Sequence, residues 1–115
     1  MPRYDAIEFA RKAWPHLVAR AADGKEPFTY TEIGDILGIG CRECGPFLGV
    51  IQSHCRKQGM PRLQALVVEK KTGVPSEPNK NGGGYDGSRK PSDHAEEVSK
   101  VRNFNWPSVP PFDAT

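Results

Sequence analysis

The sequence has no long run of apolar residues. No stretch of about 18 consecutive apolar side chains occurs among its 115 residues, so we expect no transmembrane helix and no membrane partner. Its beginning, MPRYDAIEFARKAW, includes acidic residues and lacks an apolar core of signal-peptide length, which predicts a protein that is not exported. Three cysteines are an odd number, and in an unexported chain they predict reduced thiols and a cytoplasmic location.

A recognisable catalytic set is also missing from the sequence. Glu32 and Asp35 are three residues apart, and Glu96 and Glu97 are adjacent. Neither pair has a nuclease-like spacing, and both suit helix caps and solvated faces. The glycine-rich stretch 81–84 has no preceding strand and no following Lys-Ser/Thr, both of which a phosphate-binding loop requires. We therefore predict that the protein is not an enzyme and has no cofactor and no small-molecule substrate.

Four potential zinc ligands occur in two motifs, Cys41-x-x-Cys44 and His54-Cys55. The spacing of the first motif is that of a zinc knuckle. If residues 46–58 form a helix, however, the second motif lies about 12–15 Å along it from Cys44. One tetrahedral ion cannot bridge that distance unless His16 or His94 completes a site from elsewhere. A redox role for the first motif would need a thioredoxin-like βαβ context, which is absent, and we predict no metal.

The hydrophobic core is predicted to be small. Apolar residues are 37% of the chain and the mean hydropathy is −0.60. Twelve glycines and eleven prolines exceed the usual share of these residues and indicate loops and tails. We divide the chain into a folded region over residues 1–74, a flexible loop or wing over 75–91, and a C-terminal helix with an extended tail over 92–115.

The first helix is predicted over residues 4–22. Apolar residues recur there at steps of three and four positions: Ile7, Ala10, Trp14, Leu17 and Ala21. This spacing is typical of a helix with one buried face. Pro15 falls inside the pattern, and it predicts either a kink or two short helices that meet there.

A second helix is predicted to begin after residue 29. Thr29 and Glu32 have the spacing of a capping box, in which each side chain satisfies a backbone N–H group at the helix start. The next apolar residues form one stripe: Ile33, Ile36 and Leu37. Gly38 can adopt the left-handed conformation that ends a helix.

A third helix is predicted over residues 46–58. Pro46 suits its first position, where a missing N–H group costs nothing. Gly59 is expected just beyond its last turn, and Pro61 prevents its continuation.

A β-hairpin is predicted over residues 64–74. Residues 63–68 are apolar except for Gln64 and end in two valines. Residues 69–73 form a charged turn with a glycine, and Val74 can begin a return strand. Three helices followed by a hairpin are the layout of a winged helix-turn-helix. The predicted fold class is therefore α+β, a small winged-helix-like domain.

A further helix is predicted from Ser92, an N-cap candidate that is followed by acidic residues. A proline-broken tail then contains four large apolar residues: Phe104, Trp106, Val109 and Phe112. Disordered tails are poor in aromatic residues. We therefore predict that this tail packs on the first helix, near Phe9, Trp14 and Val18.

Positive charge is concentrated in the middle of the chain, although the net charge is only +2. Residues 40–90 carry nine Lys/Arg against four Asp/Glu, a local charge of +5, whereas residues 1–39 sum to −1 and residues 91–115 to −2. A polyanion would meet the segment 40–90 first. The alternative is a solvated surface that merely favours lysine.

A family resemblance rests on three motifs: Tyr30-Thr31-Glu32-Ile33-Gly34, Leu48-Gly49 and the proline-containing turn before residues 63–68. Over roughly residues 28–74 the chain resembles the winged helix-turn-helix of methylated-DNA–protein cysteine alkyltransferases and their non-catalytic alkyltransferase-like relatives. The resemblance implies duplex DNA as the partner, and it places Tyr30 where the family's tyrosine helps turn a nucleotide out of the duplex.

Two departures from that family limit what the resemblance implies. The alkyl-accepting Pro-Cys-His-Arg motif belongs near residues 61–68, which read PRLQALVV and contain neither Cys nor His. Alkyl transfer is therefore not expected. The family's recognition-helix arginine would fall at residues 44–46, where no arginine stands, and Arg42 is the nearest one.

Together these patterns predict a non-catalytic protein that binds duplex DNA through helix 46–58 and the basic hairpin 64–74. Lysines and arginines are expected at phosphates and polar helix residues at base edges. The candidate DNA-binding residues are Tyr30, Arg42, Gln52, Ser53, Arg56, Lys57, Lys70 and Lys71. The alternative is a phage- or mobile-element-type adaptor or inhibitor that docks on a protein partner through the aromatic tail 104–112.

Overall fold

A computed structural model describes residues 6–40, 44–75, 85 and 87–107 of the chain. Its helices and strands follow in the order α1 (Ala6–Asp23), β1 (Phe28–Thr29), α2 (Tyr30–Leu37), α3 (Cys44–Gln58), a 3₁₀ helix (Leu63–Leu66), β2 (Val67–Val68) and α4 (Pro91–Asn103). Among the described residues, four α-helices accompany one two-stranded sheet. This is a small α+β fold, as the sequence predicts.

The core lies between α1, α3 and the 3₁₀ helix. Its largest fully buried side chains include Trp14, Leu17, Phe47, Ile51, Leu63 and Leu66. Helix α1 runs without interruption from Ala6 to Asp23 and includes Pro15, so the alternative of two short helices is wrong. Pro15 is exposed while Trp14 and Leu17 on either side of it are buried, and this shared buried face holds both halves of the helix on the same core.

Helix α2 begins and ends where its local sequence predicts. The Glu32 N–H donates to Thr29 Oγ1 over 3.1 Å, and the Thr29 N–H donates to Glu32 Oε1 over 2.9 Å. The capping box is therefore confirmed. Gly38 has a φ angle of 76° and ends the helix in the left-handed conformation. Ile36 departs from the expected apolar stripe, since it is 47% exposed.

Helix α3 begins at Cys44, two residues before the predicted start. Pro46 lies in its first turn, where backbone N–H groups have no partner within the helix in any case. The buried side consists of Cys44, Phe47, Leu48, Ile51 and Cys55. Gly59 follows the last residue with a φ angle of 67°, so the predicted end of the helix is confirmed.

The predicted β-hairpin over residues 64–74 is wrong. Strand β2 pairs in parallel with β1, with Phe28 opposite Val67 and Thr29 opposite Val68. Residues 63–66 form a 3₁₀ helix in which all four are buried, so only Val67 and Val68 of the apolar run are extended. After β2 the chain reverses in a turn that is closed by the Glu69 N–H and the Val74 carbonyl oxygen, 2.9 Å apart.

Helix α4 begins one residue before the predicted N-cap. Lys90 is the N-cap and Pro91 occupies the first position, which its fixed φ angle favours. Ser92 therefore lies inside the first turn. The helix is joined to α1 by Arg102, whose guanidinium donates to the carbonyl oxygen of Arg20 over 3.0 Å.

The first part of the aromatic tail packs against α1. The rings of Trp14 and Trp106 meet edge to face with their centroids 5.6 Å apart. Trp14 Nε1 donates to the carbonyl oxygen of Pro107 over 2.9 Å, and Trp106 is only 9% exposed. Phe104 also packs on the core, while Val109 and Phe112 lie outside the described residues.

Candidate nucleic-acid interface

The exposed side of α3 carries three of the residues predicted to bind DNA. Arg56 and Lys57 are exposed, and Ser53 is half-buried. They stand three and four positions apart, so they share one helix face. Phe47, Ile51 and Cys55 fill the opposite, buried face. The helical period thus brings Ser53, Arg56 and Lys57 together on the side that faces away from the core.

A groove of about 460 Å³ runs along this exposed side, between α3 and the beginning of α1. Its lining residues are Ile7, Pro46, Gly49, Val50, Ser53, His54 and Lys57. Ile7 is 42% exposed, and a Cβ atom placed on Gly49 would meet nothing within 4 Å. The groove therefore has an apolar floor at one end and polar groups from the second half of α3 at the other.

His54 is one of the polar residues that line this groove. Its ring meets the ring of Trp14 edge to face, with centroids 6.1 Å apart. Partial burial, and secondarily the positive charge of Lys57, lower the pKa of His54 below its ordinary value of 6.5. At neutral pH, His54 therefore adds no charge to the exposed side of α3, and the positive charge there comes from Arg56 and Lys57.

Gln52 is a half-buried residue of α3, and its side chain is hydrogen-bonded to a buried residue. Its side-chain oxygen accepts a hydrogen bond of 3.2 Å from Nε2 of the buried Gln64. The link fixes the carbonyl group of Gln52 toward the 3₁₀ helix. Sequence reasoning had no signal for this contact, because the pairing of two glutamines twelve positions apart depends on how α3 docks.

One other predicted residue, Tyr30, stands apart from the exposed side of α3. Tyr30 is the first residue of α2 and is half-buried, with its ring packed against the core. The Tyr30 carbonyl oxygen accepts from the thiol of Cys44 over 3.6 Å, which ties the beginning of α2 to the beginning of α3. Arg42 lies outside the described residues.

Lys70 and Lys71 are both exposed, at the tip of the turn formed by residues 69–74, called here the lysine turn. The Gly73 N–H donates to the Glu69 carbonyl oxygen over 2.8 Å, and Gly73 has a φ angle of 73°, which favours glycine. The turn therefore keeps the two lysines in the position where the sequence placed the tip of a hairpin, without a second strand.

Two arginines counted in the positive segment are paired with carboxylates. Arg62 Nη1 lies 3.0 Å from Glu97 Oε1, and Arg89 Nη2 lies 3.7 Å from Glu69 Oε1. Both pairs join segments that are distant in the sequence, so the charge count alone could not find them. The exposed basic residues of 44–75 are Arg56 and Lys57 at the end of α3 and Lys70 and Lys71 on the lysine turn.

The two described cysteines are buried thiols. Cys44 Sγ lies 3.6 Å from the Tyr30 carbonyl oxygen and 3.8 Å from that of Gly40, and Cys55 is 1% exposed. Within the described residues, no group of three or more His, Cys, Asp or Glu side chains is arranged to hold a metal ion. Cys41 lies outside them, and the absence of a metal stays a prediction.

No helix in the described part of the chain combines the length and the apolar character needed to cross a membrane. Comparison of the chain with protein-family models, with curated proteins and with solved structures gives no match.

Proposed function

We propose that the protein binds duplex DNA without catalysing a reaction, through the exposed side of α3 and the lysine turn. In this proposal α2 and α3 form a helix-turn-helix unit of the winged-helix kind, and the lysine turn takes the place of the hairpin wing. The alkyltransferase-like resemblance of residues 28–74 belongs to the same proposal, as a DNA-binding scaffold without the alkyl-accepting cysteine.

The observation that carries the proposal is the distribution of exposed charge. Residues 44–75 contain five Lys/Arg and a single acidic residue, Glu69, and Glu69 is paired with Arg89. Arg56, Lys57, Lys70 and Lys71 are all exposed. A surface segment of one sign attracts a polyanion, and neutralising phosphates with Lys and Arg supplies most of the affinity of such binding.

In this proposal the basic residues have two different roles. The major groove of B-DNA is about 12 Å wide and admits one α-helix, and the exposed side of α3 presents Ser53 and Arg56 toward it. An arginine can bind the O6 and N7 atoms of guanine with two hydrogen bonds. Lys57, Lys70 and Lys71 are point charges and contact phosphates, which fixes orientation but reads no sequence.

Binding of the full chain to a mixed-sequence duplex, measured at about 50 mM and about 200 mM salt, tests the proposal. Binding should weaken steeply as salt rises, because each neutralised phosphate releases counterions. A single strand of the same sequence is the control. If micromolar protein leaves the duplex unbound at the lower salt, where phosphate contacts are strongest, the proposal is wrong.

The second candidate is a protein–protein adaptor of phage or mobile-element type that docks through the aromatic tail. Trp106 is buried against Trp14 and serves the fold of its own chain. The adaptor would therefore rely on Val109 and Phe112, beyond the described residues. A protein that fails the duplex-binding test, and whose stability does not change when residues 108–115 are deleted, would favour the adaptor.

A further inference from the structure

Arg89 lies far from α3 in the sequence but contacts both ends of the lysine turn. Its Nη2 atom lies 3.7 Å from Glu69 Oε1, at the start of the turn. Its Nε atom donates to the Pro75 carbonyl oxygen over 2.8 Å, immediately after the end of the turn. One guanidinium therefore bridges the two places where the turn leaves and rejoins the body of the protein.

The segment that carries Arg89 is itself fixed. A Cβ atom on Gly87 would come within 2.6 Å of the ring of Tyr85, which is 6% exposed, so the backbone passes close against a buried ring. On the other side, Ser88 Oγ donates to Asp93 Oδ2 over 2.7 Å and accepts from the Lys90 N–H over 3.2 Å. These contacts tie Arg89 to the beginning of α4.

Arg89 also changes the electrostatics of the lysine turn, because it pairs with Glu69. The Glu69 carboxylate accepts from Thr72 Oγ1 over 3.2 Å and stands next to Lys70 in the sequence. Without Arg89 opposite it, the negative charge of this carboxylate would offset the positive charge of the neighbouring lysines and would repel phosphate. Arg89 thus neutralises the single acidic residue of the segment 44–75 while holding the turn in place.

We propose that Arg89 is a positioning residue, which clamps the lysine turn and thereby presents Lys70 and Lys71 to the DNA backbone. The inference rests on the proposed duplex binding and adds to it a residue that touches no phosphate. It implies that binding by the two lysines depends on a side chain from the segment that precedes α4.

Hydrogen exchange tests the clamp without DNA. The amides of Glu69 and Gly73 both donate within the turn, and their exchange should accelerate in Arg89→Ala relative to the native protein. Lys90→Ala is the matched control, since it removes the same charge one residue away and leaves both amides protected. Glu69→Gln removes the ion pair from the other side and should accelerate exchange at Gly73, even if Arg89→Ala fails to fold.

A double-mutant cycle tests the positioning role. Arg89→Ala should weaken duplex binding by about threefold or more in the native background and by little in the Lys70→Ala/Lys71→Ala background, because residues that act through one another are not additive. Unchanged exchange at Glu69 and Gly73 would overturn the clamp. Equal losses in both backgrounds would overturn the positioning role and show a plain charge effect.

The two possible failures remain distinct in this experiment. If the native protein does not bind the duplex, the proposed function and the role of Arg89 in it are both wrong, while the exchange data still decide whether the clamp exists. If the native protein binds and Lys90→Ala weakens binding as much as Arg89→Ala, the proposed function stands and the assignment of Arg89 does not.

Discussion

His94 Nε2 lies 2.8 Å from the carbonyl oxygen of Ala65 in a buried hydrogen bond that fastens α4 to the 3₁₀ helix. The neighbouring Arg62–Glu97 pair joins the same two elements, with Glu97 accepting both from the Arg62 guanidinium and from the Arg62 N–H. Helix α4 is therefore part of the folded body, and both contacts hold it against the 3₁₀ helix.

Replacement of His94 by Leu should destabilise the fold by about 1–3 kcal/mol. The apolar side chain fills a similar space but leaves the Ala65 carbonyl oxygen without this donor, and a buried acceptor that loses its partner costs that amount. Urea unfolding measures the effect. Ser99→Ala, at an exposed position of the same helix, is the control and should unfold as the native protein does. Equal midpoints for the two variants would contradict the assignment.

Replacement of Trp106 by Ala should cost about 3 kcal/mol or more, the usual loss when a large buried aromatic side chain is removed. Trp106 meets Trp14 at 5.6 Å and donates from Nε1 to the Val101 carbonyl oxygen over 2.7 Å. Thermal unfolding followed by tryptophan fluorescence measures both the stability and the changed surroundings of Trp14. Asn105→Ala, at the exposed residue in between, should leave both readouts close to native, and a stable Trp106→Ala would mean that the tail is dispensable.

Stability should fall as the pH drops below about 6.5, in part because of His54. Its folded-state pKa is lowered by partial burial and then by Lys57, so below 6.5 the unfolded chain binds more protons than the folded one, and acid favours unfolding. Raising the pH through this window restores the stability. Melting temperatures from pH 7.5 to pH 5 should show a steeper decline for the native protein than for His54→Asn, and parallel curves would contradict the prediction.

Replacement of Lys70 and Lys71 by Ala should weaken duplex binding about equally for all sequences and lower the salt dependence by about one unit per lysine, as expected when phosphate contacts are lost. The matched control is Lys25→Ala/Lys100→Ala, which removes two exposed lysines outside the proposed interface. Titrations of a duplex at several salt concentrations measure both slope and affinity. If the control pair has the same effect as the turn pair, net charge and not the turn determines binding.

What the sequence predicted correctly is local. Thr29 and Glu32 are three positions apart, and Gly38 and Gly59 adopt conformations that glycine favours, so the start of α2 and the ends of α2 and α3 are set by neighbours along the chain. The face of α3 that carries Ser53, Arg56 and Lys57 follows from the helical period alone.

What the sequence did not predict depends on residues that are distant along the chain. Val67 and Val68 have the composition of a strand, but their partner is the two-residue segment at Phe28, not the residues that follow the turn. In the same way, a charge count along the sequence does not show that Arg62 pairs with Glu97 and that Arg89 pairs with Glu69. No local pattern specifies such partners, because the docking of whole elements determines them.

The parallel pairing of Phe28–Thr29 with Val67–Val68 also makes the intervening helices a closed loop. The entropic cost of bringing the two ends of that loop together grows only slowly with the length of the loop. The chain meets this cost once, when the two strands pair. Separating the strands would release both ends of the segment that holds α2 and α3 at the same moment. We therefore expect these two helices to open together in a single cooperative step, so that a partner bound to α3 would slow the exchange of amides in α2 as well.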